Sequence, residues 1–172
     1  MGLITPNDFP TLRELYTAQL RYLLSAENQI IQGLPVMIGK ADDPQLKRAF
    51  QSHLQETEQQ AMRLEGILTE LSGKANDKKD DIVAEIVSAG QGISKETDSG
   101  PIRDAGLIAT AQKIEHYEIA CYGTARDWAR QLGLASHVST LQKTLDEEKH
   151  ADSLLTQISQ RTNVSASSSA AA

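Results

Sequence analysis

The chain has 172 residues, 40% of them apolar and 23% charged, enough for one domain with a real core and too apolar for disorder throughout. Its formal net charge of −6, without any cluster of Lys and Arg, argues against nucleic acid as a partner. No apolar run approaches the roughly 18 residues of a membrane span, the N-terminus lacks a signal peptide's basic start and apolar stretch, and a lone Cys121 excludes an intrachain disulfide, so the expectation is a soluble cytoplasmic protein.

The first helical pattern opens at Asp8-Phe9-Pro10, a cap followed by a proline acceptable in the first turn. Its inward stripe runs Leu12, Tyr16, Leu20, Leu23, Glu27, Ile30, Leu34, at spacings of three and four. Pro35 kinks the last turn and Gly39 stops it. The second pattern opens at Asp43-Pro44, carries Leu46, Phe50, His53, Thr57, Ala61, Leu64 and Leu68, and ends near Gly73. So short a connection makes these two helices an antiparallel pair.

Residues 74–100 form a long connection whose apolar repeat (Ile82, Val83, Ile86, Val87, Ile93) predicts a short covering helix. The third long helix runs from about Pro101 to Leu132. Gly133 ends it and Ser136 caps the fourth, whose stripe is Val138, Leu141, Leu145, Glu148, Asp152, Leu155. Residues 162–172 are small and polar, with nothing to bury, and read as a disordered low-complexity tail beyond a domain of residues 1–161. The sequon Asn163-Val164-Ser165 reads as accidental. Helix pair, long link, helix pair is the plan of an all-α, ferritin-like four-helix bundle with one long crossover carrying a short extra helix.

Six side chains contradict an apolar bundle core: Glu27, His53, Glu56, Glu115, Glu118 and Glu148. Burying one unpaired carboxylate costs several kcal/mol or forces it to take up a proton. Several together repel one another unless cations neutralise them. Bundles that hold two metal ions take a Glu from each of two helices and a Glu/His pair at i, i+3 from each of the others. Here Glu27 comes from the first helix, Glu115 and Glu118 from the third, and His53-Leu-Gln-Glu56 is the pair in reversed order. Glu27 and Glu56 are 29 residues apart and Glu115 and Glu148 are 33 apart, so each hairpin carries acids at similar depth. In the fourth helix Glu147 and His150 form a literal Glu-x-x-His, yet Leu141, Leu145 and Leu155 favour Glu148 as the inward residue. His116 points off the stripe. Tyr122 reads as core packing, with a hydroxyl one turn beyond Glu118.

At these residues the chain resembles the YciE/YciF-type ferritin-like family of bacterial stress proteins. The resemblance rests on Leu15-Tyr16 through Ser25-Ala26-Glu27-Asn28-Gln29, on His53-Leu54-Gln55-Glu56-Thr57, on Ala111-Gln112-Lys113-Ile114-Glu115-His116-Tyr117-Glu118-Ile119-Ala120, and on Thr144-Leu145-Asp146-Glu147-Glu148-Lys149. It covers roughly residues 8–160; His150 departs from it. It implies a rubrerythrin-like dinuclear centre, a homodimer and a link to stress. The resulting expectation is two Fe or Mn ions, since oxygen-rich ligation favours hard redox-active metals. Such a protein would reduce peroxide or dioxygen as a di-metal oxidoreductase, or buffer metal. The alternative is a non-catalytic stress-response bundle that binds a protein partner, with metal absent or structural. No Cys-x-x-Cys centre supplies electrons from within.

Overall fold

The computed structural model describes residues 9–169, which form five helices: α1 (Leu12–Lys40), α2 (Pro44–Ser72), α3 (Asp81–Glu96), α4 (Pro101–Gln131) and α5 (Ala135–Ser169). The local signals at most ends act as expected. Asp43 accepts from the amides of Gln45 and Leu46 and puts Pro44 in the first turn of α2. Gly73 closes that helix at φ 73°, a conformation costly for any residue with a Cβ. Asp80 caps α3 in the same way as Asp43 caps α2.

Two ends differ from expectation. The start of α1 is set by Thr11, whose hydroxyl accepts from Glu14 N while the Glu14 carboxylate accepts from Thr11 N, a reciprocal capping box. Phe9 and Pro10 therefore precede the helix, and Asp8 lies outside the described residues. At the other terminus α5 continues to Ser169, where a structureless tail is expected from residue 162. Extending an existing helix avoids the cost of nucleation, and two contacts hold the extension. Thr162 is buried, and Arg161 pairs with Asp43 Oδ2 at 2.8 Å, docking this turn on the start of α2.

The connection after α2 runs back along α1. Lys78 N donates to Arg21 O at 3.1 Å, and Gln29 Nε2 donates to Asp80 O at 2.9 Å. Helix α3 then lies across α1 and α4. It approaches α4 closely because Gly90 and Gly106 face it from opposite sides. A Cβ on Gly90 would stand 2.4 Å from Thr110 Cγ2, and one on Gly106 equally close to Ile93 Cγ2. The crossover thus carries the chain to the α1–α2 turn, where α4 starts. Asp104, buried in the first turn of α4, accepts from both Asp42 N and Asp43 N at 2.8 Å. Helices α2 and α4 consequently run parallel, with α1 and α5 opposed to them. This is the ferritin-like bundle with a helix-bearing crossover. Among the described residues no helix is long and apolar enough to cross a membrane.

The core is divided. One apolar cluster, including Tyr16, Leu20, Leu64, Leu68 and Leu141, fills the end where α1 begins. A second, including Ile30, Leu34, Phe50, Ile108 and Leu155, fills the end where α1 stops. Between them lies a buried polar layer. Asp104 is the tie that holds the two hairpins in register at one end. Replacing it (Asp104→Ala) orphans two backbone amides and should cost about 2–3 kcal/mol. Urea unfolding should show a lower midpoint at unchanged m-value; a loss below about 0.5 kcal/mol would mean that water replaces the tie.

Candidate metal centre

Each helix of the bundle contributes to the polar layer because its inward stripe is interrupted at the same depth. Glu27, Glu118 and Glu148 are 0% exposed, Glu115 2% and His53 7%. Thr57 is also buried; its hydroxyl donates back to His53 O at 2.8 Å and takes no part in the cluster's own bonding.

Four residues converge: His53, Glu115, Glu118 and Glu148 each offer a ligand atom, and these atoms lie within 4.8 Å of one another. His53 Nε2 is 3.3 Å from Glu115 Oε1. Glu27 stands beside this group, its Oε1 accepting a short hydrogen bond from Tyr122 Oη. Glu56 stands outside the four. Its side chain is 38% exposed, with Oε2 3.9 Å from His53 Nδ1. Of the six residues expected from sequence, five are buried together and Glu56 lies at their edge.

The cluster is underbonded. Both ring nitrogens of His53, both oxygens of Glu118, and one oxygen each of Glu27, Glu115 and Glu148 are buried without a hydrogen-bond partner. Native interiors rarely tolerate this. Burial first, aided by the charge of Glu115, pushes the Glu27 carboxyl up to about 7, against the pull of the Tyr122 hydroxyl and of His53. Glu118 and Glu148 rise well above the usual carboxylate range, through burial first and then through the charges of the neighbouring glutamates. Glu115 rises for the same first reason. Burial lowers the proton affinity of His53, but Glu115, Glu56 and Glu27 together outweigh it, and its pKa ends raised. Glu56 moves the other way, held low chiefly by the neighbouring His53 imidazole.

Unpartnered oxygens and imidazole nitrogens aimed at one another, charged only at a cost, suit hard divalent cations. Four carboxylates carry the charge that two such ions cancel.

Contacts outside the cluster orient it. Gln60 is buried and donates a short hydrogen bond to Glu148 Oε1. Arg63 grips Glu147 with both terminal nitrogens, at 2.5 and 2.9 Å. Glu147 is thus tied to α2 and turned from the centre, which leaves Glu148 inward. Neither Gln60 nor Arg63 is among the residues expected from sequence. Gln60 had a signal, since it lies on the stripe between Thr57 and Leu64. His116 and Asp152 pair near the surface, at 3.5 Å.

Two cavities reach the cluster. One, about 560 Å³ counting its mouth, runs between α1, α3 and α4 past Ile30, Leu34, Val87 and Leu107 to His53 and Glu115. Its walls are almost wholly apolar. The other, about 420 Å³, opens between α2 and α5 at Ser52, Glu56 and His150, and ends on the same His53 and Glu115.

The family model DUF892, a domain of unknown function, matches residues 11–167. Protein YciF of Escherichia coli strain K12 is 34% identical over 149 residues, 86% of this chain and 90% of that protein. Among solved structures, YcfI of Rhodopseudomonas palustris superposes with a TM-score of 0.85 at 34% identity, over 89% of this chain and 98% of that one. The crystal structure of the E. coli stress protein YciF gives 0.85 at 32%, over 90% and 98% of the two chains. A Xanthomonas campestris protein gives 0.72 at 20%, over 90% and 94%, and shares the fold alone.

The raised proton affinities carry a signed consequence for metal-free protein. An unfolded Glu titrates near its ordinary value of 4.5, whereas folded Glu27 titrates at about 7, so the folded state binds more protons between those values. Stability therefore falls as pH rises through that window, and His53, raised as well, acts in the same direction. In chelator, urea unfolding at pH 8 should give a stability on the order of 2–4 kcal/mol below that at pH 5. A flat or rising profile would show that the cluster carries no buried charge.

Proposed function

Starting from a chain that belongs to the DUF892 family of YciF-type helical bundles, we propose that it is a dinuclear iron or manganese protein that acts on peroxide or dioxygen. The observation that carries this reading is the set of buried, unpartnered oxygens and nitrogens on Glu27, His53, Glu115, Glu118 and Glu148. Those five residues would hold the ions, and Glu56 is near enough to join them. Bound there, a pair of such metals supplies two electrons for the reduction of a small oxidant.

The chain's own residues set the conditions for that chemistry. The apolar clusters on either side exclude water and keep the charges strongly coupled. Gln60 fixes the rotamer of Glu148 through its amide. Tyr122 does the same for Glu27 and holds a proton at its hydroxyl, whose pKa burial and the adjacent carboxylates raise well above the ordinary value. That hydroxyl thus remains a hydrogen-bond donor at every physiological pH. The apolar cavity reaching His53 and Glu115 suits a small neutral oxidant. A homodimer acting during stress, as the family resemblance implies, is compatible with this chemistry.

Protein expressed with iron or manganese should contain about two ions per chain by elemental analysis, and should consume hydrogen peroxide when given a chemical reductant. The double substitution Glu27→Ala and Glu148→Ala should remove the metal and the turnover together. Metal content unchanged in that variant would refute the ligand assignment; a parent protein that binds no metal would favour the surface-acting bundle.

A further inference from the structure

The two cavities that end on His53 and Glu115 differ in the polar groups they offer: the first has the neutral Gln91, Ser94 and Thr110 among aliphatic side chains, the second has Ser52, Glu56 and His150 beside Phe50 and Leu154. The first disfavours a divalent ion, which would shed its hydration shell against mainly aliphatic walls with no charged side chain before His53 and Glu115. The opening between α2 and α5 offers replacements in sequence. At its rim stand Glu56 and His150, and these two also border an outer depression that includes Asp146 and Glu147. Glu56 is the most exposed acid of the constellation, and Oε2 is 3.9 Å from His53 Nδ1. The inner wall is His53, its side chain 9% exposed, with both ring nitrogens unpartnered. Glu115 lines the same wall, one oxygen unpartnered. The cationic groups nearby are engaged elsewhere. Arg63 is bonded to Glu147, and Lys143 lies 4.0 Å from the same carboxylate.

Resting on the metal reading above, we propose that the α2–α5 opening is the entrance for divalent cations, where Glu56 and His150 take the ion from solvent and pass it to His53. Glu56 can do this because it faces both ways. Its part-exposed carboxylate lies at the rim with Oε2 only 3.9 Å from His53 Nδ1. The step breaks ion–water bonds and forms ion–carboxylate and then ion–imidazole bonds, with no change in oxidation state. The apolar cavity is left to neutral molecules.

The test uses the full chain, stripped with chelator, and cobalt(II) chloride as the probe, followed by the visible absorption of the bound ion in stopped flow. His150→Ala and Glu56→Gln, both at solvent-facing positions, should slow uptake about tenfold each, while His150→Ala should reach the parent's final absorbance. Gly33→Leu, which fills the apolar cavity, should load at the parent's rate. Loading of both rim variants at the parent's rate would overturn the proposal while leaving the metal centre intact. So would slow loading confined to Gly33→Leu. If the parent itself gains no cobalt absorption at equilibrium, the metal centre fails and the entrance fails with it.

Discussion

Four carboxylates share the middle of this bundle with a single imidazole, and among the described residues no Lys or Arg pairs with them; most other features of the structure can be understood from that constraint. Glu27, Glu115, Glu118 and Glu148 are all but fully buried, and Arg63 is committed to Glu147. A layer of this kind weakens the fold that contains it. The two apolar clusters above and below supply the stability the polar layer does not, and they also keep it dry.

Delivering those side chains to one level needs accurate register between two hairpins far apart in sequence. The devices are local and cheap. Asp43 and Gly73 set the ends of α2, and the close approach at Gly90 and Gly106 seats α3 on α4. Asp104 then locks the start of α4 to the α1–α2 turn. The long crossover makes α2 and α4 parallel, so α1, α4 and α5 turn acids and α2 turns His53 toward the centre. Tyr122 and Gln60, one from α4 and one from α2, aim the carboxylates on the other two helices. Orientation of Glu27 and of Glu148 thus depends on a neighbour across the bundle.

What could be read from sequence divides along the same line. Signals that act within one helical turn were legible: Asp43-Pro44, Gly73, and Glu148 interrupting Leu141, Leu145 and Leu155. The family resemblance and the bundle plan were legible too, because they rest on long periodic stripes. The start of α1 differs from the sequence expectation because Pro10 is as good a first-turn residue as the Thr11–Glu14 box is a cap, and only geometry chooses between them. Helix continuation past residue 162 depends on Thr162 and Arg161 meeting other elements, which no local pattern reveals. The place of Glu56 is similarly tertiary. It lies at the edge of its stripe, and whether it closes the centre or its rim is decided by the α5 surface opposite. Gln60 stood on the stripe in plain view but was masked by the run of polar residues around it.

The proposed dinuclear centre requires the buried acids to hold a pair of cations. Anomalous diffraction from crystals grown with iron or manganese tests this most directly. Two anomalous peaks a few ångströms apart are expected, enclosed by Glu27, His53, Glu115, Glu118 and Glu148. A map without peaks at that level, in protein exposed to excess metal, would contradict it.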